Sequence, residues 1–306
     1  MKHKLKTILF ISLALIALFG MTACPNAAGG SNEIGSSGGG GNTGGSQKPK
    51  APFVEGGASL ILSPDKLDIK VTVITSDGTP VTVEGCTETT IPSGTETVLH
   101  AKGTLVILKG KIINLQVGGW HSNNPNKLIA LNVQGLTALR RLECHGNQLT
   151  ALNVQGLSAL QRLDCSSNQL TALNVQGLNA LQTLFCGGNQ LTALNVQGLP
   201  ALKDLYCYGN QLTALNVQGC TALQRLGCDG NQLTAQAFTK LFDDLPQRDA
   251  GVNGWCTLYT EKDGITEGNH KDFTAPPDLA AAFNNAKTVK KWKMYKYDGS
   301  RPGEEI

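Results

Sequence analysis

One 21-residue phrase, repeated almost letter for letter between Asn126 and Thr234, constrains this chain more than anything else in it. LRRLECHGNQLTALNVQGLSA is followed by LQRLDCSSNQLTALNVQGLNA, LQTLFCGGNQLTALNVQGLPA, LKDLYCYGNQLTALNVQGCTA and the truncated LQRLGCDGNQLTA. Cys144, Cys165, Cys186, Cys207 and Cys228 recur at that spacing, as do Asn147, Asn168, Asn189, Asn210 and Asn231; one step back lands on Asn126. A fixed period in the twenties means a solenoid, in which each unit buries its apolar side against its neighbours only.

Within the unit, L-x-x-L-x-C-x-x-N-x-L resembles the core of the leucine-rich repeat. Leu142 and Cys144 alternate about Glu143, the period of a short strand with one buried face. Parallel strands stacked about 4.8 Å apart turn such positions into ladders. The Leu and Cys ladders fill the interior. The Asn ladder stands where the chain leaves the strand and buried backbone groups need partners, which an amide that donates and accepts can supply. So short a unit leaves little room for a helix, so extended segments and turns are expected on the far side, pinned by the Gly of Val-Gln-Gly. The expected fold is a leucine-rich-repeat solenoid, α/β by class but β-dominated, with little helix in the repeats and a parallel sheet on its concave face.

The constant part of the unit, NQLTALNVQG, contrasts with the residues that flank the inward Leu and Cys. These vary and are expected to point outward from the sheet: Arg141, Glu143 and His145; Arg162, Asp164 and Ser166; Thr183, Phe185 and Gly187; Asp204, Tyr206 and Tyr208; Arg225, Gly227 and Asp229. Aromatic and Arg residues amid charges are the profile of a protein-binding hot spot. The expected partner-binding residues are Arg141, Glu143, His145, Arg162, Asp164, Phe185, Asp204, Tyr206, Tyr208, Arg225 and Asp229.

The chain starts MKHKLKTILFISLALIALFGMTAC, a basic segment and then an apolar run too short for a comfortable membrane span. Met21-Thr22-Ala23-Cys24 resembles a bacterial lipobox, which implies cleavage before Cys24 and lipid attached to it. The alternative is an ordinary signal peptide with an incidental cysteine. Residues 24–52 are Gly, Ser, Asn and Pro with almost nothing apolar, a flexible tether with a reach of about 30 Å. Over 53–109, Leu67, Ile69, Val71 and Val73 alternate with polar neighbours, Ser76-Asp77-Gly78 marks a turn, and Val81–Val83 and Leu105–Leu108 read as strands. This is expected to be a small β module shielding the first repeat. The solenoid is assigned to 110–234, with Leu115 and Val117 in a degenerate lead-in repeat whose insertion carries Trp120 and His121. Residues 235–306 are expected to form an α+β cap with helices over 235–245 and 277–286 and strands over 255–259 and 291–297.

A net charge of +3 with 16% charged residues implies neither nucleic acid nor an acidic substrate. Lys287, Lys290, Lys291, Lys293 and Lys296 read as protection of an edge strand. The inward cysteines form a line rather than a tetrahedron, so they are small core residues and no metal or other cofactor is expected. A Cys86–Cys256 bridge is conceivable in an exported chain, but the sequence does not support one. The five histidines sit in no metal-ligand, phosphate-loop or nucleophile motif, and His145 reads as a surface contact. No enzyme is expected, although chemistry hidden in the terminal modules is a third class to test.

The Cys-containing repeat, the DGTPVTVEG lead-in, the lipobox and the EKDGITEGN…WKMYK tail together resemble the BspA-like leucine-rich-repeat lipoproteins of bacterial cell surfaces. The resemblance implies a lipid-anchored, adhesin-like protein, exported to the outer membrane and cell surface, that engages a host extracellular or bacterial surface protein. The alternative is a periplasm-facing envelope scaffold with no host ligand.

Overall fold

Eight strands precede the full repeats: β1 (Gly57–Leu62), β2 (Asp68–Thr75), β3 (Val81–Glu84), β4 (Thr90–Ile91), β5 (Glu96–His100), β6 (Leu105–Lys109), β7 (Ile112–Gln116) and β8 (Leu128–Asn132). The repeats contribute β9 (Arg141–Glu143), β10 (Arg162–Asp164), β11 (Thr183–Phe185), β12 (Asp204–Tyr206) and β13 (Arg225–Gly227). The chain ends with helix α1 (Ala235–Asp244), β14 (Gly254–Thr260), α2 (Pro277–Thr288), β15 (Trp292–Tyr297) and β16 (Glu304–Glu305). These elements come from a computed structural model that describes residues 49–118, 126–249, 251, 254–300 and 303–306. The signal segment, Cys24, Trp120 and His121 lie outside the described residues.

Strands β7 and β9 to β15 run parallel, each repeat in register with the next, so Leu142, Leu163, Leu184, Leu205 and Leu226 form one ladder. Leu115 pairs with Leu142, which makes the lead-in a true if degenerate repeat, and Val117 is buried like the cysteines that follow it. The five Cys of the ladder are fully buried and free. Burial pushes the thiols of Cys144, Cys165, Cys186 and Cys207 far above their ordinary range, so they serve as small apolar core residues. Cys86 and Cys256 are also free: Cys86 bridges to Ala101 in the N-terminal module, while Cys256 pairs beside Leu226 at the last repeat. The result is a leucine-rich-repeat solenoid.

Asparagine side chains hold its turns. Nδ2 of Asn189 donates to the carbonyls of Cys165 and Cys186, both at 3.0 Å, and its Oδ1 accepts from Leu170 N–H at 3.0 Å. Asn147, Asn168, Asn210 and Asn231 repeat the pattern. Asn126 makes the top rung by bonding both backbone groups of Lys70 on β2. On the other side of the unit, Oδ1 of Asn174 accepts from Gln176 N–H, and the Gln176 side chain donates to Asn195 O one repeat on. A second ladder thus replaces a helix, and Gly156, Gly177, Gly198 and Gly219 make its turn at positive φ.

Each strand exit is a second left-handed position, filled by Gly146, Gly188, Gly209 and Gly230, but by Ser167 (φ 53°) in one repeat. A side chain there costs about 1–2 kcal/mol, partly offset by the greater freedom of unfolded glycine. Ser167→Gly is expected to stabilise the chain by roughly 0.5–1 kcal/mol, read as a higher urea midpoint at unchanged slope.

The two ends are closed differently. At the N-terminus the β module divides between two sheets: β5 and β2 extend the repeat sheet through β7, while β4, β3, β6 and β1 pair onward to β8. At the C-terminus β14 adds to β13, and Asn269 becomes a further rung: its Nδ2 donates to Cys228 O at 2.9 Å and its Oδ1 accepts from Leu233 N–H at 2.7 Å. The Glu267 carboxylate accepts from Gly230 N–H at 2.9 Å, where a following repeat would offer a carbonyl. The C-terminal lysines do not guard an edge, because β16 pairs outside β15. Lys296 bridges Glu261 and Glu304 at 2.6 and 3.1 Å, and Lys290 donates to the last carbonyls of α1.

Candidate functional site

Register places three lines of side chains on the face of the sheet opposite the Leu and Cys ladders. The first runs Arg141, Arg162, Thr183, Asp204, Arg225, Trp255 and Lys293; the second runs Glu143, Asp164, Phe185, Tyr206, Gly227, Thr257 and Tyr295. The third, just past the strands, holds His145, Ser166, Gly187, Tyr208 and Asp229.

An aromatic band crosses the middle. The Phe185 and Tyr206 rings stack at 4.7 Å and 5° between planes, as expected for neighbours on adjacent parallel strands. Trp255 sits two strands from Tyr206, yet its ring lies 5.8 Å away, because Gly227 between them carries no side chain. Tyr295 meets the far side of Trp255 edge-on at 6.5 Å. At the other end Arg162 lies over Phe185, 4.7 Å from the ring centre. All five side chains are half-buried. The Tyr208 ring stands over Gly187, whose Cβ, if present, would meet it at 2.9 Å.

The charges are arranged so that carboxylates lie beneath and guanidinium groups above. Glu143 is buried; Arg141 Nε and Arg162 Nε reach its Oε1 at 2.9 and 3.1 Å. Burial opposes its charge, but the two guanidinium groups outweigh it and hold the carboxyl below its ordinary range. Asp204 takes Arg225 Nη2 at 3.2 Å. The side chains of Arg141 and Arg225 are 49% and 47% exposed against 8% and 14% for Glu143 and Asp204, so a partner would meet the arginines first.

Four of the expected partner-binding residues are therefore not surface contacts. Glu143, His145, Asp164 and Asp229 are all buried. The strands are three residues long and set tightly together, so a short acid is covered by the longer side chains of its neighbours. His145 is packed under the lead-in chain, where a Cβ on Gly118 would come within 2.8 Å of its ring, and lies 3.6 Å from Asp164 Oδ2. Asp164 accepts from the Ser166 hydroxyl at 2.5 Å, and Asp229 is approached by Thr260 at 3.4 Å. Arg141, Arg162, Phe185, Asp204, Tyr206, Tyr208 and Arg225 remain accessible to a partner. Trp255 and Tyr295 join them, which sequence reasoning missed: it read their strands as a cap rather than as a continuation of the concave sheet.

No family model matches this chain, and no curated relative matches it either. Among solved structures it is similar to the functional domain of InlJ from Listeria monocytogenes, described as including a cysteine ladder, at 27% identity and a TM-score of 0.34, over 44% of this chain and 33% of that one. It is also similar to a leucine-rich-repeat protein of Leptospira interrogans at 22% identity and a TM-score of 0.34, over 53% of this chain and 50% of the other. The chain thus spans half or less of each of these two. The fold assignment rests on this chain's own repeat register, ladders and sheet.

Proposed function

We propose that this is a lipid-anchored, adhesin-like binding protein whose concave sheet engages a protein on a host or bacterial surface. The observation that carries this reading is the continuous aromatic band Phe185–Tyr206–Trp255–Tyr295, half-exposed on an otherwise polar sheet and rimmed by Arg141, Arg162 and Arg225. Soluble proteins seldom leave such a band to water unless it meets a partner, and large aromatic and Arg side chains dominate the energetics of protein interfaces. Its small area argues for modest affinity. The lipobox-like Met21–Cys24 and the Gly/Ser-rich tether supply the anchor and the reach, lifting the solenoid off the membrane toward its partner.

Two measurements test the two halves of the proposal. Photo-reactive benzoylphenylalanine at position 206 is expected to cross-link to the partner, whereas the same group at exposed position 169 is not; equal yields at both would sink the site. Protease shaving of intact cells, with a periplasmic protein as leakage control, is expected to remove the solenoid, and Cys24→Ser to abolish incorporation of labelled palmitate. Protection until the envelope is broken would leave the periplasm-facing scaffold as the reading.

A further inference from the structure

A second surface, on the side of the repeat away from the aromatic band, already receives polypeptide in this molecule. Residues 49–51 lie across the first repeats, where Asn132 Nδ2 donates to Ala51 O at 3.2 Å. Together with Ile129–Asn132 and Thr150–Asn153 they wall a hollow of about 230 Å³. A hollow of about 320 Å³ recurs three repeats further on, lined by Thr192, Ala193 and Asn195 of one unit and Thr213, Ala214 and Asn216 of the next. These are the positions equivalent to Ile129, Ala130, Asn132, Thr150, Ala151 and Asn153. In the second hollow no segment of the described chain plays the part of Pro49–Ala51.

The chemistry of this groove is set by the constant phrase of the repeat. Asn195 holds its own turn by accepting from Gln197 N–H, as Asn132 does from Gln134 N–H, so the amide oxygen is committed in both. The Nδ2 of Asn132 goes to Ala51 O; that of Asn195 meets no protein acceptor among the described residues. Thr192, Ala193, Thr213 and Ala214 are exposed and small, so a backbone can come close, and no charged side chain lines the hollow. Internal contacts explain why Asn, Val, Gln and Gly recur here, but not why exposed Thr and Ala do.

We propose that this lateral groove binds an extended, proline-containing polypeptide segment of a partner protein, with a backbone carbonyl received by Asn195 Nδ2 as Ala51 O is received by Asn132. Such a segment enters with its backbone already extended, loses little conformational entropy, and needs a donor row rather than deep pockets. The site is separate from the aromatic band and stands or falls independently of it.

The probe is a fluorescein-labelled peptide with the sequence of residues 47–52, titrated by anisotropy against the full-length protein in detergent. Saturable binding in the millimolar range is expected. Asn195→Ala is expected to weaken it about three- to tenfold at that site, the loss of one hydrogen bond. Filling the groove in Ala172→Glu/Ala193→Arg/Ala214→Glu is expected to abolish it; the alternating signs keep the ladder from repelling itself, and the exposed positions keep the fold. The Phe185→Ala/Tyr206→Ala/Trp255→Ala variant is expected to bind the peptide unchanged. No saturable binding, or binding that the filled groove retains, overturns the proposal. Binding lost in the aromatic variant instead would assign the peptide to the concave face and overturn the groove. A protein dimer abolished by filling the groove would make the occupant a second copy, which also overturns it.

Discussion

Asn189→Ala is expected to cost about 2–4 kcal/mol, more than any surface substitution in the chain. The side chain bonds three buried backbone groups: it is the acceptor for Leu170 N–H, and it gives hydrogen bonds to Cys165 O and Cys186 O, which also accept from Asn168 and Asn210 on the adjoining rungs. Alanine leaves Leu170 N–H buried and unpaired, at about 1–3 kcal/mol, and removes one of the two hydrogen bonds at each carbonyl, at about 0.5–1 kcal/mol apiece. Asn189→Asp should be nearly as damaging, because a carboxylate can accept from Leu170 but places a buried negative charge against the two carbonyl oxygens it cannot donate to. The loss should also be structural in a particular way. Repeat stability is a sum of local units and nearest-neighbour interfaces, so breaking a middle rung uncouples the units on either side. Urea unfolding should move to a lower midpoint and broaden. Asn195→Ala, on the exposed ladder, should cost no more than about 1 kcal/mol by comparison. A loss of that small size at Asn189 would mean that the asparagine ladder is ornament rather than support.

The same ladder shows what could be read from the letters and what could not. Rungs from Asn126 to Asn231 were legible because the period alone locates them. Asn269 was not, although it makes the same bonds, because α1 and β14 interrupt the period before the chain returns to the stack. Likewise the helices and strands of the C-terminal region follow from their own apolar patterns. That β14 and β15 join the repeat sheet, and so bring Trp255 and Tyr295 beside Tyr206, depends on pairing between distant segments that no local pattern encodes. The alternation over Leu67–Ile74 likewise predicts a strand but not its partner, so the division of the β module between two sheets stayed hidden. Burial on the concave face failed for a different reason. Period two says which way Glu143 and Asp164 point, but their exposure is set by the length of Arg141, Arg162 and Phe185 around them.

The central claim, that the aromatic band is where a partner binds, is tested most directly by Phe185→Ala/Tyr206→Ala/Trp255→Ala. The rings are half-buried and stacked on one another, so their removal should lower stability by about 2 kcal/mol, or several degrees in Tm, without unfolding the solenoid beneath. Binding should respond far more strongly, since truncating central aromatic anchors costs about 2 kcal/mol or more apiece. The measurement is a set of isotherms for the wild type and this variant against purified host extracellular matrix proteins and bacterial surface proteins. The expected result is saturable binding of at least one of them by the wild type, weakened at least about a hundredfold in a variant that is still folded. Saturable binding that the variant keeps at full strength would contradict the account, and would place the partner elsewhere on the solenoid.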